Sequence, residues 1–179
     1  TKRGPGGIWT VFVPGIGTGE LYKFLITASD GRKLYKADPY ANQAQYRPDT
    51  ASVVTDLSGF EWNDADWMWY RGQKDMTREP VAIYECHIGM AGEEGKVSTY
   101  NEFTDNILPR IKAAGYNTIQ IMAIMEHPYY GSFGYQVSNF FAPSSRFGRS
   151  YELKRLINTA HSMGIAVLLD VVHSHAVKN

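Results

Sequence analysis

Hydrophobic and polar positions change their spacing along the chain, and the change near residue 80 divides it into two regions. In the first region, short apolar runs at residues 8–13, 21–28 and 33–37 are separated by Pro and Gly, which predicts β-strands. A Ser-Asp-Gly turn that ends at Gly31 joins the second run to the third and predicts a β-hairpin, because glycine readily adopts positive φ. Three short strands do not make a complete sandwich, so we expect the end of a larger β domain.

The segment from residue 42 to residue 80 follows neither a helical nor a strand period. Its aromatic side chains stand among charged residues and include Trp62, Trp67, Trp69 and Tyr70. We interpret it as an ordered connector whose aromatic rings seal the junction between two domains rather than bind a ligand.

After residue 80 the pattern alternates between strand and helix. Three apolar runs predict strands, at residues 81–86, 118–125 and 165–172. Thr99 and Glu102 form a capping box for the first helix, which Pro109 is expected to kink. The third strand is almost continuously apolar, as is typical of a parallel sheet covered on both faces. The region therefore predicts an α/β fold whose strands all end at one edge, where such folds place their chemistry.

Each of these strand ends carries carboxylate and imidazole side chains: Glu85 and His87, then Glu126 and His127, and finally Asp170, His173 and His175. A carboxylate beside an apolar strand is costly unless it is paired or used. Any one of these residues is best explained as structural, but three such ends together favour a concave polar site. Two reaction classes fit: glycosyl transfer or hydrolysis by paired carboxyl groups, and metal-dependent hydrolysis with His173 and His175 as zinc ligands. The metal hypothesis needs more ligands than this pair.

The segment 128–148 is long for a connection between a strand and a helix, and it is rich in aromatic residues and glycine. Aromatic rings beside carboxylates suit sugars, since the C–H face of a sugar stacks on a ring while its hydroxyls bind charged acceptors. We expect most of these rings to pack on hydrophobic neighbours. Tyr135 is the exception, because it lies between Gly134 and the polar Gln136.

Composition excludes several classes of protein. The 179 residues include 18 basic and 18 acidic side chains, which argues against nucleic-acid binding because phosphate backbones require clustered positive charge. Cys86 is the one cysteine, so we expect neither an intrachain disulfide nor a cysteine-rich zinc site. No apolar run approaches the roughly 20 residues of a membrane helix, and we expect a soluble cytoplasmic protein. The chain begins without methionine and ends soon after a predicted strand, so we interpret it as a fragment.

Several motifs are distinctive. Residues 170–175 read DVVHSH and residues 123–136 read AIMEHPYYGSFGYQ; YECHIG occurs at 84–89, LPRIK at 108–112, GELYKF at 19–24 and KADPYA at 36–41. The first motif resembles the one that ends barrel strand three in the α-amylase superfamily, glycoside hydrolase family 13. The next three resemble the 1,4-α-glucan (glycogen) branching enzymes of that superfamily. The last two are similar to the end of a family 48 carbohydrate-binding module.

The resemblance implies a domain order and an activity. Residues 1–41 would be the C-terminal part of a carbohydrate-binding β-sandwich, 42–80 a connector, and 81–179 the first three βα units of a (β/α)₈ barrel. Branching enzymes cleave an α-1,4 glucan and transfer the segment to a 6-hydroxyl, which forms an α-1,6 branch in glycogen biosynthesis. The implied partner is α-glucan, with no cofactor, nucleic acid or membrane.

The resemblance also assigns three substrate-binding residues. Tyr135 matches the ring that stacks under the glucose to be cleaved, His175 matches the histidine that binds its 6-hydroxyl, and Asp170 matches the aspartate that orients an arginine before the nucleophile. The family's three catalytic carboxylates follow strands four, five and seven, so we expect none here and an inactive fragment. Ser174 replaces an asparagine that binds calcium in many amylases, so no metal is expected. Two alternatives remain: a non-catalytic glucan-binding or structural fragment, and a metal-dependent barrel hydrolase that uses His173 and His175.

Overall fold

The N-terminal part of the chain forms pairs of short antiparallel strands. The structure is a computed structural model that describes residues 2–177. Its first six strands are β1 (Lys2–Arg3), β2 (Trp9–Thr10), β3 (Leu21–Tyr22), β4 (Phe24–Thr27), β5 (Lys33–Lys36) and β6 (Ser52–Val53). β1 pairs with β2, β3 with β6, and β4 with β5.

The predicted hairpin is confirmed, because β4 and β5 pair along their full length and Gly31 adopts a φ of 83° in the turn. The first two predicted strands are shorter than their apolar runs. The second run is divided at Lys23, because β3 pairs with β6 whereas β4 pairs with β5. In the first run, Ile8 and Phe12 remain exposed.

The connector contains two elements that its sequence pattern did not predict. One is β6, and the other is helix α1 (Ala65–Gln73). Trp67 is the buried residue of α1, and its ring stacks on His161 with the centroids 5.1 Å apart. The remaining three predicted junction aromatics (Trp62, Trp69 and Tyr70) are exposed, so the expected sealing of the junction is right for Trp67 alone.

The second region contains a three-stranded parallel sheet, as the alternating pattern predicts. Its strands are β7 (Ile83–Cys86), β8 (Thr118–Ile121) and β11 (Ala166–Leu169), with β8 in the centre. Cys86 and Leu169 both pair with Ile121, so the three carboxyl ends lie level at one edge of the sheet. After β8 the chain forms two more strands, β9 (Met125–Glu126) and β10 (Asn139–Pro143), which pair with each other in antiparallel fashion.

The helix between β7 and β8 is built in three parts. It runs through α2 (Tyr100–Glu102), a π-helical turn (Phe103–Ile107) and α3 (Leu108–Ala113). The capping box is confirmed, because the Thr99 hydroxyl accepts from the Glu102 amide and the Glu102 carboxylate accepts from the Thr99 amide. Pro109 lies one residue beyond the wide turn, after Leu108, as expected from its missing N–H group.

The hydrophobic core lies between the sheet and its helices, which include α4 (Ser150–Ser162). Its largest fully buried side chains are Tyr100, Phe103, Phe147, Ile88, Leu108, Ile119, Ile121, Leu156 and Ile165. Full burial of one such apolar side chain is worth about 1.5–3 kcal/mol. The core therefore holds the parallel sheet and fixes the edge at which the strands end.

The connector packs along α4 and so fixes the N-terminal strands relative to the sheet. The Ser150 hydroxyl donates to the Asn42 carbonyl at 3.0 Å, the Lys154 ammonium to the Leu57 carbonyl at 2.6 Å, and the Asn63 amide to Asn158 at 2.9 Å. Within residues 2–177, no helix combines the length and the hydrophobicity that a membrane span needs.

Candidate functional site

A tyrosine–aspartate pair lies at the carboxyl edge of the sheet. Tyr135 donates its phenol proton to Asp170 Oδ2 at 2.7 Å. Asp170 follows β11, and its amide donates to the Ile121 carbonyl at 3.0 Å, so the end of the central strand fixes its position. Burial, the hydrogen bond to Asp170 and the negative charges of Asp170 and Glu85 raise the pKa of Tyr135 to about 12. The phenol therefore stays protonated at neutral pH and remains a donor.

The ring of Tyr135 forms one wall of an open pocket of about 630 Å³ that His175 also lines. The other lining residues are Ser132, Gln136, Ser174, Ala176 and Val177. The pocket thus combines an aromatic face with imidazole, amide and hydroxyl groups. Such a surface suits a ligand with both C–H faces and hydroxyl groups. Of the three predicted substrate-binding residues, Tyr135 and His175 line the pocket, whereas Asp170 is connected to it through its hydrogen bond with Tyr135.

Backbone geometry next to Tyr135 aims its side chain. Phe133 and Gly134 both have positive φ, at 55° and 90°. A Cβ atom on Gly134 would lie 1.6 Å from the carbonyl oxygen of Ala123, so any larger residue is excluded there. The Tyr135 amide then donates to the Ser132 carbonyl at 3.0 Å. A tight turn over the end of the sheet therefore sets the direction of the tyrosine.

The two ends of this loop are joined by the buried carboxylate of Glu126, which is 1% exposed. One of its oxygens accepts from the Ser145 amide at 2.8 Å and the other from the His127 amide at 3.1 Å. Its backbone carbonyl accepts from the Ser138 amide at 2.8 Å. One residue therefore closes the loop that presents Tyr135.

Two arginines compensate the buried charge of Glu126. Arg47 and Arg146 each place a guanidinium nitrogen 3.7 Å from Glu126 Oε1. Arg146 also donates to the His127 and Pro128 carbonyls at 2.6 and 2.7 Å. Arg47 comes from the connector and donates to the Ser138 hydroxyl at 2.7 Å, so the connector is bound to the loop as well.

Sequence reasoning missed both arginines and Ser138. Arg47 stands in a polar segment without a period, and nothing near it in the sequence identifies its partner. The one indication of these partners in the sequence was Glu126 itself, since a buried carboxylate needs a cation or several hydrogen-bond donors.

Two histidines lie beneath the loop instead of in the pocket. His87 is buried, and its ring meets Tyr130, Phe133 and Phe147 edge to face with centroids 5.5–5.8 Å apart. His127 is fully buried, with Nδ1 2.8 Å from the Met125 carbonyl. Burial lowers the pKa of both imidazoles, which are therefore neutral and structural. The expectation that all strand-end groups meet in one polar site is thus wrong for His87, Glu126 and His127, and Glu85 and His173 do not line the pocket either.

The metal hypothesis gains no support from the described part of the chain. Among residues 2–177, no three His, Cys, Asp or Glu side chains gather in a way that could hold a metal ion. The ring of His173 stacks on Phe140 with a centroid distance of 5.6 Å, whereas His175 lines the pocket. The buried thiol of Cys86 is also a poor ligand, because burial raises its pKa to about 12.

Comparisons with known proteins find similar sequences along most of the chain. Residues 1–41 match the family described as carbohydrate-binding module 48 (isoamylase N-terminal domain), and residues 103–179 match the alpha amylase catalytic domain. The 1,4-alpha-glucan branching enzyme GlgB of Butyrivibrio fibrisolvens is 52% identical over 175 residues, which cover 95% of this chain and 27% of the relative. The 1,4-alpha-glucan-branching enzyme of Candida glabrata is 49% identical over 162 residues, which cover 88% of this chain and 23% of the relative. Over nearly its whole length the chain is thus homologous to one part of the branching enzymes.

A solved structure supports the same fold. The crystal structure of a protein described as an alpha amylase from Salmonella typhimurium superimposes with a TM-score of 0.69 at 26% identity. The superposition covers 89% of this chain and 25% of the Salmonella protein. The predicted fold class, part of an α-amylase barrel preceded by carbohydrate-binding β structure, is therefore confirmed. The chain spans about a quarter of the length of the branching enzymes that it matches.

We predict that Gly134→Ala disrupts the turn that presents Tyr135. The new methyl group would collide with the Ala123 carbonyl and would also carry the strain of positive φ, so the free energy of unfolding should fall by about 3 kcal/mol. Gly115→Ala is the matched control, because Gly115 has a φ of 89° but no heavy atom lies within 4 Å of the place that its new methyl group would take. It should cost about 1 kcal/mol. Urea denaturation measures both, and equal losses would contradict the collision.

We also predict that stability falls as the pH drops. His87 and His127 have lowered pKa values in the folded state, so the unfolded chain binds protons that the folded chain excludes. The free energy of unfolding should therefore be level above about pH 6.5 and decline below it. His87→Phe keeps a ring among its aromatic neighbours and should flatten this decline, which denaturation from about pH 5 to pH 8 measures. The control is His173→Gln, which removes an exposed histidine; an unchanged slope in His87→Phe would contradict the prediction.

Proposed function

We propose that this chain is the part of a 1,4-α-glucan branching enzyme that holds the glucose unit to be cleaved. The reaction breaks an α-1,4 linkage and transfers the released segment to a 6-hydroxyl, which creates an α-1,6 branch in glycogen. The observation that carries the proposal is the 2.7 Å hydrogen bond from Tyr135 to Asp170, which sets the ring in the wall of the pocket shared with His175. The branching-enzyme names of the relatives support the substrate class.

Each residue has a separate role in this proposal. The ring of Tyr135 stacks under the sugar, and its bond to Asp170 prevents the ring from rotating away. The imidazole of His175 binds the 6-hydroxyl of the same sugar. Asp170 uses one carboxylate oxygen for Tyr135, and we assign to it the orientation of an arginine beside the nucleophile. Fixing the sugar in this way contributes to catalysis by orientation.

The covalent chemistry is assigned to other barrel strands. Retaining enzymes use two carboxyl groups about 5–5.5 Å apart on either side of the scissile bond. Glu126 does not fit this role, because it is buried and accepts from two loop amides. We therefore assign no catalytic carboxylate to this chain and expect it to be inactive by itself.

The proposed domain division is supported in part by the two family matches, which cover residues 1–41 and 103–179. Residues 1–41 are proposed as the end of the carbohydrate-binding module, 42–80 as the connector, and 81–179 as the first three βα units of the barrel. The proposed partner is α-glucan in the cytoplasm, and the proposed chemistry requires no cofactor.

We predict that Tyr135→Ala in the full-length natural protein lowers branching activity by about a hundredfold, because the sugar loses its stacking surface. Tyr135→Phe keeps the ring but loses the bond to Asp170, and it should cost about tenfold. Tyr129→Ala is the control, since Tyr129 is an exposed ring of the same loop that lies outside the pocket. The fall in iodine–amylose absorbance reports activity. Full activity in Tyr135→Ala would refute the assignment.

The same assay on residues 1–179 alone should show no fall in absorbance. A reproducible fall would contradict the assignment of the covalent chemistry to other barrel strands, since it would require a complete catalytic pair within this chain. Binding of amylose by the full-length protein without any branching would instead favour the non-catalytic glucan-binding alternative.

A further inference from the structure

Arg47 of the connector contacts both ends of the chain between β9 and β10, which carries Tyr135. Its guanidinium donates to the Ser138 hydroxyl at 2.7 Å and lies 3.7 Å from Glu126 Oε1. Glu126 ends β9, and Ser138 immediately precedes β10. The side chain of Arg47 is only 15% exposed, so it is enclosed between the connector and the loop.

The connector holds the backbone around Arg47 in a closed turn. The amide of Gln45 donates to the Ala51 carbonyl at 2.8 Å, and its side chain donates to Asp49 at 3.1 Å. Ala44, one residue earlier, forms a bridge to Ser52 of β6. The guanidinium is therefore presented to the loop from a fixed base.

The hydroxyl of Ser138 binds the guanidinium and the backbone of β9 at once. While it accepts from Arg47, it donates to the Glu126 carbonyl at 3.1 Å, and the Ser138 amide donates to the same carbonyl at 2.8 Å. The β9–β10 ladder is irregular here, since the four-residue advance from Asn139 to Pro143 corresponds to a single step on β9. The bond from Arg47 thus adds a restraint where the ladder supplies few pairs.

Residues 135–138 separate two cavities. Arg47, Glu126 and Ser138 line a cavity of about 280 Å³, whereas Tyr135 lines the sugar pocket. Val177 lines both, and its amide donates to the Val137 carbonyl at 2.9 Å. Arg47 therefore lies behind the wall whose front is the Tyr135 ring.

We propose that Arg47 is a positioning residue that fixes residues 135–138 through Ser138 and so sets the direction of the Tyr135 ring. Asp170 holds the ring at its phenol end, and Arg47 acts at its backbone end. The inference rests on the proposed function for the reaction in which the ring takes part, but its structural half requires no catalysis.

Arg146 has a different role, although it faces the same oxygen of Glu126. Its hydrogen bonds go to the His127 and Pro128 carbonyls, at the start of the loop. Arg47 alone of the two guanidinium groups donates to Ser138.

The test is a double-mutant cycle in the full-length natural protein, measured as kcat for the branching of amylose. Arg47→Met should lower kcat by about tenfold, because the ring is misplaced, and Ser138→Ala should lower it by about threefold. In a Tyr135→Ala background each change should alter kcat by less than about twofold, because the ring that they orient is gone. A merely structural role would lower kcat by the same factor in both backgrounds.

Amide hydrogen exchange gives a second readout that does not depend on activity. In Arg47→Met, peptides that cover residues 135–138 should exchange about tenfold faster, whereas peptides from α4 should be unchanged. The matched control is Arg110→Met, since Arg110 forms an exposed ion pair with Glu93 on the surface of α3. It should leave both exchange and kcat at wild-type values.

Equal losses of kcat in the two backgrounds would overturn the proposal, as would wild-type exchange at residues 135–138 or an equal effect in the control. If Arg47→Met has a lower thermal midpoint, Ser138→Ala decides by the same criteria, because it keeps both guanidinium groups beside Glu126. A protein that forms no branches would lose the proposed function, but faster exchange at residues 135–138 would still support the role of Arg47 in fixing them. Branching that is insensitive to both changes would refute the present inference and leave the proposed function intact.

Discussion

The site depends on a negative charge that the fold buries. Glu126 follows an apolar run and would be costly there without donors. The amides of Ser145 and His127 and the guanidinium groups of Arg47 and Arg146 compensate it. Those groups come from both ends of the loop and from the connector. Compensation of the charge therefore also closes the loop. Removal of one member of such a cluster leaves the others buried and unpaired, which is why buried ion pairs are costly to break.

The sequence was sufficient for the elements whose cause is local. The hairpin at Gly31, the capping box at Thr99 and the alternation of strands and helices all formed as expected. Helix α1 was missed because it buries a single residue, Trp67, and so has no apolar stripe to detect. That helix is held through the stacking of Trp67 on His161, a contact between residues far apart in the sequence.

The candidate site was predictable in part for the same reason. Tyr135, Asp170 and His175 could be singled out because a motif marks each of them. Asp170 bonds to a pocket residue, whereas Glu126 anchors a loop. The pattern of neighbouring residues in the sequence does not distinguish the two, since both follow apolar strands. What separates them is the position of distant partners: Arg47 compensates Glu126, whereas Tyr135 binds Asp170.

The loop of residues 128–148 links the N-terminal strands to the pocket. Asn139 donates its side-chain amide to the Asp38 carbonyl at 2.9 Å, and Phe141 stacks on Tyr40. A few residues earlier in the same loop, Tyr135 forms the pocket wall and binds Asp170. A displacement of the N-terminal strands would thus act on β10, whose pairing with β9 also fixes Glu126. Because tightly packed interiors transmit strain, the position of the N-terminal strands and the orientation of the Tyr135 ring are mechanically coupled.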